Sequence, residues 1–158
     1  MFDPWYDVFS ALPLALINPL TEQAVNLAAL DHRSADDDSL LAALDGVITA
    51  LTALHEDDDE NEAVLAKAQT AIRWVGTHLN ALDCAADISR EYGQTLVHWG
   101  AHAMSYDPNH TYEEWTAKLN EKGQSLLAYA NTPEDKEALS RAQSVYHWSA
   151  DNLPTLWD

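Results

Sequence analysis

Asp87, Glu91, Thr95, His98 and His102 are spaced four, four, three and four. On a helix they would project from one face. His98 and His102, one turn apart, are placed to chelate a metal ion, with Glu91 two turns below and His78 or His147 as donors from another segment. The pattern departs from two well-defined metal chemistries. Trp99 stands where a His-Glu-x-x-His protease carries its general base, and the Glu-x-x-His pairs of di-iron bundles are missing. A solvated polar stripe with two incidental histidines explains the same spacing more simply. The opposite side, Ile88, Tyr92, Leu96, Trp99 and Ala103, is a core face.

Arg73 and His78 form an Arg-x4-His pair. This spacing resembles that of the HEPN ribonucleases, which are also all-helical. The likeness covers two residues. Trp74 stands where that family favours a polar residue, and a chain this acidic would repel RNA. The alternative is that Arg73 covers apolar surface with its stem and pairs with a nearby carboxylate. The single cysteine, Cys84, excludes an intramolecular disulfide and is expected to be a buried, inert thiol. The five glycines, 46, 76, 93, 100 and 123, all fall within helical patterns, so no glycine-rich phosphate loop exists and no cofactor is implied.

Charge is the strongest signal. Residues 1–66 hold 14 acids and one base, Arg33, a net −13; the other 92 residues hold 12 acids and seven bases, a net −5. A coat for salt tolerance would be spread evenly. Here the charge peaks in two runs, Asp36-Asp37-Asp38 and Glu56-Asp57-Asp58-Asp59-Glu60. Neither has the alternating ligands and central glycine of a calcium loop. As helix N-terminal residues they would suit the positive end of a helix dipole, but five acids in succession exceed what capping needs. Such a field repels nucleic acid and anionic membranes and attracts basic protein surfaces.

The elements that carry these residues are helical. Leu40, Leu44, Val47, Leu51 and Leu54 alternate steps of four and three, as do Leu65, Ala68, Ile72, Val75, Leu79 and Leu82. Helices are expected near 4–11, 21–31, 37–55, 60–82, 84–105, 111–130 and 133–151. Pro13 and Pro19 are expected to break the first part, and Thr111 with Glu114 forms a capping box. Thr132 followed by Pro133 reads as the last helix start, and Pro154 ends it. Gly93 and Gly100, seven apart, predict close approach of a second helix, with a tryptophan as one candidate neighbour. The apolar stretch Val8 to Ile17 is too short to span a bilayer and is preceded by Asp3 and Asp7, so it reads as core of a cytoplasmic protein.

The expected fold is all-α: one antiparallel bundle of six to seven helices. Residues 1–35 would form short helices across it, 36–151 the main bundle, and 152–158 a tail docked through Trp157. The expected function is non-enzymatic. Asp36, Asp37, Asp38, Glu56, Asp57, Asp58, Asp59 and Glu60 would bind the basic surface of a nucleic-acid-handling protein, with no direct contact to nucleic acid or membrane. Anti-CRISPR and anti-restriction DNA mimics, other anti-defence inhibitors, immunity proteins and antitoxins share this physical character. The alternatives are a metal-binding enzyme or sensor built on Glu91, His98 and His102, and a structural adaptor.

Overall fold

The computed structural model describes residues 4–56, 62–102 and 111–153, with side chains from Leu14 onward except at positions 55, 56, 99 and 102. Among them are six α-helices and no strand: α1 (Pro4–Ala28), α2 (Ala35–Glu56), α3 (Glu62–Thr77), α4 (Ala85–His102), α5 (Tyr112–Asn131) and α6 (Lys136–Asp151), with a 3₁₀ turn at Leu79–Ala81. Each helix packs chiefly on two others, and the contacts close a ring in the order α1, α2, α3, α6, α5, α4 and back to α1.

The leucine ladders form the core. Leu44, Val47, Leu51 and Leu54 of α2 are buried, as are Ala68, Ile72 and Val75 of α3. Leu79 and Leu82 remain buried although α3 stops at Thr77 rather than at 82. The tighter 3₁₀ turn keeps both leucines inward while the chain reverses into α4.

Helix α1 corrects the N-terminal reading. Pro13 and Pro19 lie inside one 25-residue helix, where two short helices were expected. Each proline removes a backbone donor and disfavours the helix locally. The stripe Leu16, Leu20 and Ala24 is buried, and it offsets that local cost.

Two helix starts also differ from expectation. Ser34 caps α2: its Oγ accepts from the Asp37 N–H at 3.1 Å, and Asp37 Oδ2 accepts from the Ser34 N–H at 3.1 Å. This reciprocal capping box places Asp36, Asp37 and Asp38 in the first turn rather than at the cap. In α6 the cap is Asp135, whose carboxylate accepts from the N–H groups of Glu137 and Ala138. Thr132 instead closes α5, its hydroxyl donating to Ala128 O at 2.7 Å. The predicted cap at Thr111 is present and accepts from the Glu114 N–H at 3.2 Å.

The glycine face of α4 meets α5. A Cβ at Gly93 would lie 2.8 Å from Gly123 O, and one at Gly100 2.9 Å from Thr116 O. Residue 93 thus faces 123 while 100 faces 116, so the two helices run in opposite directions. The close neighbours are backbone and leucines, not a tryptophan. Across the core, Tyr92 of α4 shares a hydrogen bond with Ser149 of α6, and Ser89 with Tyr146 at 2.9 Å. Trp115 is fully buried and packs near Trp148, ring centroids 5.5 Å apart; Trp74 and Trp148 are half-buried. Trp5, Trp99 and Trp157, and with them the docked tail, lie outside the described side chains.

Candidate functional site

The start of α2 is an acidic end of the molecule. Asp36, Asp37 and Asp38 are exposed or nearly so. Arg33 is the only base in the first 66 residues, and it is already engaged. Its Nε donates to Asp38 at 2.8 Å and its Nη1 to Ala28 O at 2.9 Å, which joins the end of α1 to the start of α2. Neither Asp36 nor Asp37 has an ion-pair partner among the described residues.

Of the second acidic run only Glu56 falls within the described residues. Glu56 is the last residue of α2, and Asp57, Asp58, Asp59 and Glu60 lie outside the described residues. Eighteen residues separate Asp38 from Glu56, about 27 Å at the helical rise. The expectation that 56–60 opens the next helix fails for Glu56, which closes the preceding one.

The structure instead brings Asp37 to carboxylates that the sequence left apart. A cavity of about 420 Å³ lies between the second half of α1, the start of α2 and the turn into α4. Glu22, Asp37, Asp83 and Asp87 line it, from three stretches of chain, and among the described residues no Lys, Arg or His lines it. Its apolar wall is Leu27, Leu30 and Leu40, with Leu30 48% exposed at the rim. Of the basic residues nearby, Arg90 reaches Asp87 at 3.1 Å along the helix surface.

Cys84 and Gln23 also line this cavity. Gln23 Oε1 accepts from the Cys84 backbone N–H at 3.3 Å and from its thiol at 3.0 Å, tying α1 to the start of α4. Burial pushes the Cys84 thiol up to about 11, and the charges of Asp87, Asp83 and Glu22 add to the rise. The thiol is half-buried and protonated at neutral pH, in keeping with an inert cysteine.

The remaining candidates are dispersed. Glu91 and His98 are exposed on α4; the side chain of His102 lies outside the described residues. Among the described residues, no three His, Cys, Asp or Glu side chains group as a metal site. Arg73 pairs with Asp151 at 2.7 Å, as the carboxylate-pairing alternative anticipated. His78 stacks on Trp74, centroids 4.5 Å apart, and its Nδ1 lies 2.9 Å from Trp74 O. The arginine and the histidine therefore serve separate contacts. No described helix is long and apolar enough to cross a membrane.

A second concavity, about 570 Å³, lies between α2 and α3. Gly46 forms part of it, and a Cβ built there meets nothing within 4 Å. Four glycines are explained by close helix contacts; this one is not. Gly46→Ala is expected to raise stability by up to about 1 kcal/mol, the helix-propensity difference. The check is a higher urea midpoint at unchanged slope. A lowered midpoint would show the position to be packed.

Fold and cavity define an all-helical protein with an acidic, part-apolar cavity at one end. No family model, no curated protein and no solved structure matches the chain.

Proposed function

We propose that this chain is a non-enzymatic binding protein that captures a basic surface of a protein partner at its acidic end. The observation that carries the reading is the convergence of Glu22, Asp37, Asp83 and Asp87 on one cavity that, among the described residues, no basic residue lines. Of the four carboxylates only Asp87 has a counter-charge among the described residues, Arg90 at 3.1 Å, and the other three repel one another. A cationic partner relieves that repulsion and gains steering from the field. We take the chain as one helical domain in an antiparallel arrangement, which the opposed α4 and α5 and the closed ring of contacts support. Partners of matching character are nucleic-acid-handling proteins, so an anti-defence inhibitor, an immunity protein or an antitoxin fits. The about 27 Å between Asp38 and Glu56 favours one acidic pole over a continuous row of phosphate-like charges.

The test is capture from nuclease-treated bacterial lysate, eluted with rising salt and identified by mass spectrometry. The unaltered chain is expected to retain a basic protein that leaves at moderate salt. Combined Glu22→Gln, Asp36→Asn, Asp37→Asn and Asp83→Asn should weaken retention. At roughly 0.2–1 kcal/mol per exposed pair, the loss is about fourfold to about 700-fold. Circular dichroism confirms that the variant stays helical. Undiminished capture by the variant would overturn the proposal.

A further inference from the structure

We propose that the groove between α2 and α3 is the docking site of the chain's own residues 154–158, with the Trp157 indole seated in it. The inference is independent of the acidic end.

The groove has a volume of about 570 Å³ and an apolar wall to which Ala50, Ala53, Ala71 and Trp74 contribute. Its polar atoms are few and of one kind. Thr49 and Thr70 line it, and each hydroxyl gives its proton to its own helix, Thr49 to Asp45 O at 2.7 Å and Thr70 to Ala66 O at 3.1 Å. Their oxygens are left as acceptors. An apolar wall that offers acceptors suits a large apolar group that can only donate, and indole is the side chain of that kind. At Gly46 a Cβ meets nothing within 4 Å, so the space there is open to a bulky ring. Lys67 is the one charged side chain among the described residues lining the groove, and it has no ion-pair partner among them. Asp158 follows Trp157 directly and supplies the matching charge.

The point at which the described chain stops places these residues within reach. Helices α3 and α6 run in opposite directions: a Cβ at Gly76 would lie 2.8 Å from Tyr146 Cβ, while Gln69 Nε2 donates to Ala150 O at 2.9 Å. The chain beyond Leu153, itself 2% exposed, is therefore headed toward the first half of α3, which carries Ala66, Lys67 and Thr70 of the groove. Ala66, Thr70 and Arg73 follow at steps of four and three along one edge of α3, and Arg73 Nη2 holds Asp151 at 2.7 Å. That edge separates the end of α6 from the groove. Crossing it takes about the width of one helix with its side chains, 10–12 Å. Four extended residues, from Leu153 to Trp157, span about 13–14 Å.

The experiment uses ¹H–¹⁵N spectra of the whole chain. Trp157→Phe identifies the Trp157 indole signal by its loss. In the unaltered chain that indole proton should exchange with water at least about tenfold more slowly than in urea-unfolded chain. Gly46→Leu, which fills the groove from α2, should return the signal to its unfolded position and abolish the protection. Shortening the chain to end at Leu153 should shift the amides of Ala50, Ala53, Ala66 and Thr70 and leave those of Gly93 and Gly123 in place. This last comparison decides the matter should Gly46→Leu fail to fold. An unprotected Trp157 indole, unchanged groove amides after shortening, or protection that survives in folded Gly46→Leu overturns the proposal. Groove shifts that fade on dilution overturn it in favour of a second copy; shifts independent of concentration support docking within one chain.

Discussion

Gly123→Ala is expected to lower stability by about 1–2 kcal/mol. The new Cβ would sit 2.6 Å from Val97 Cγ2, 2.7 Å from Gly93 O and 2.9 Å from Val97 N. Two of these are backbone atoms of α4, and the third belongs to a β-branched side chain with little rotamer freedom. Relief therefore requires α4 and α5 to move apart, which loosens the packing of Leu96, Leu119 and Leu126, all fully buried. Overpacking of this kind costs about 1–3 kcal/mol or somewhat more, and the gain in helix propensity returns up to about 1. For a domain of this size the melting temperature should fall by about 2–8 °C. Gly93→Ala acts on the same contact from the other side, with Gly123 O 2.8 Å away. The double variant should cost less than the sum of the two, because the helices need to separate only once. Urea unfolding of the three variants decides the matter. A neutral Gly123→Ala would mean that α4 and α5 do not approach this closely in solution.

The second large effect is alkaline unfolding driven by two core tyrosines. Tyr92 and Tyr146 are fully buried, ring centroids 5.4 Å apart, and their hydroxyls are shared with Ser149 and Ser89. Burial pushes Tyr92 up to about 12 and Tyr146 further in the same direction, against an ordinary value of 10.0. The sign follows from proton counting. Above pH 10 the unfolded chain releases protons that the folded chain keeps, so stability is intact below 10 and falls as pH rises through 12. Each tyrosine contributes a slope of about 1.4 kcal/mol per pH unit. Over two units the pair removes about 5 kcal/mol, a large part of a typical folding free energy. Cys84, held near 11 rather than 9.0, adds a smaller loss that begins lower. Phenolate absorbance of these two residues should appear together with loss of helical circular dichroism, not before it. Tyr92→Phe combined with Tyr146→Phe should carry the fold to higher pH, since Ser89 and Ser149 can turn to carbonyls of their own helices. Ionisation of all six tyrosines with the helices intact would contradict the buried hydroxyl pairs.

Period and punctuation carried different amounts of information. The stripes of α2 and α3 are plain in the chain because Leu44, Leu51, Ile72 and Val75 repeat every three or four residues and all turn inward. Pro13 and Pro19 misled, because a proline rule is local while the burial of Leu16 and Leu20 is not. Ser34 and Asp37 carry a capping box three residues apart, but the neighbouring aspartates offered competing caps. The face shared by Gly93 and Gly100 was legible; its partner Gly123, on another helix, was not. The cavity was the least legible feature. Asp37 stands out in an acidic run, whereas Glu22 lies some sixty residues from the Asp83 and Asp87 pair, and Gln23 carries no charge at all. Only tertiary packing brings α1 to the start of α4, 61 residues from Gln23 to Cys84.

The ring of helix contacts divides the chain into two arcs, α1–α2–α3 and α4–α5–α6, stitched together along two seams, α1 with α4 and α3 with α6. The acidic cavity sits on the first seam. Glu22, Gln23 and Asp37 belong to one arc, and Asp83, Cys84 and Asp87 to the other or to the turn leading into it. Repulsion among these carboxylates pushes on the joint itself, and the Gln23–Cys84 hydrogen bonds are a clasp across it. On the partner-capture reading, a cation lodged there would bridge the two arcs, so that occupancy of the cavity and rigidity of the two arcs would rise together.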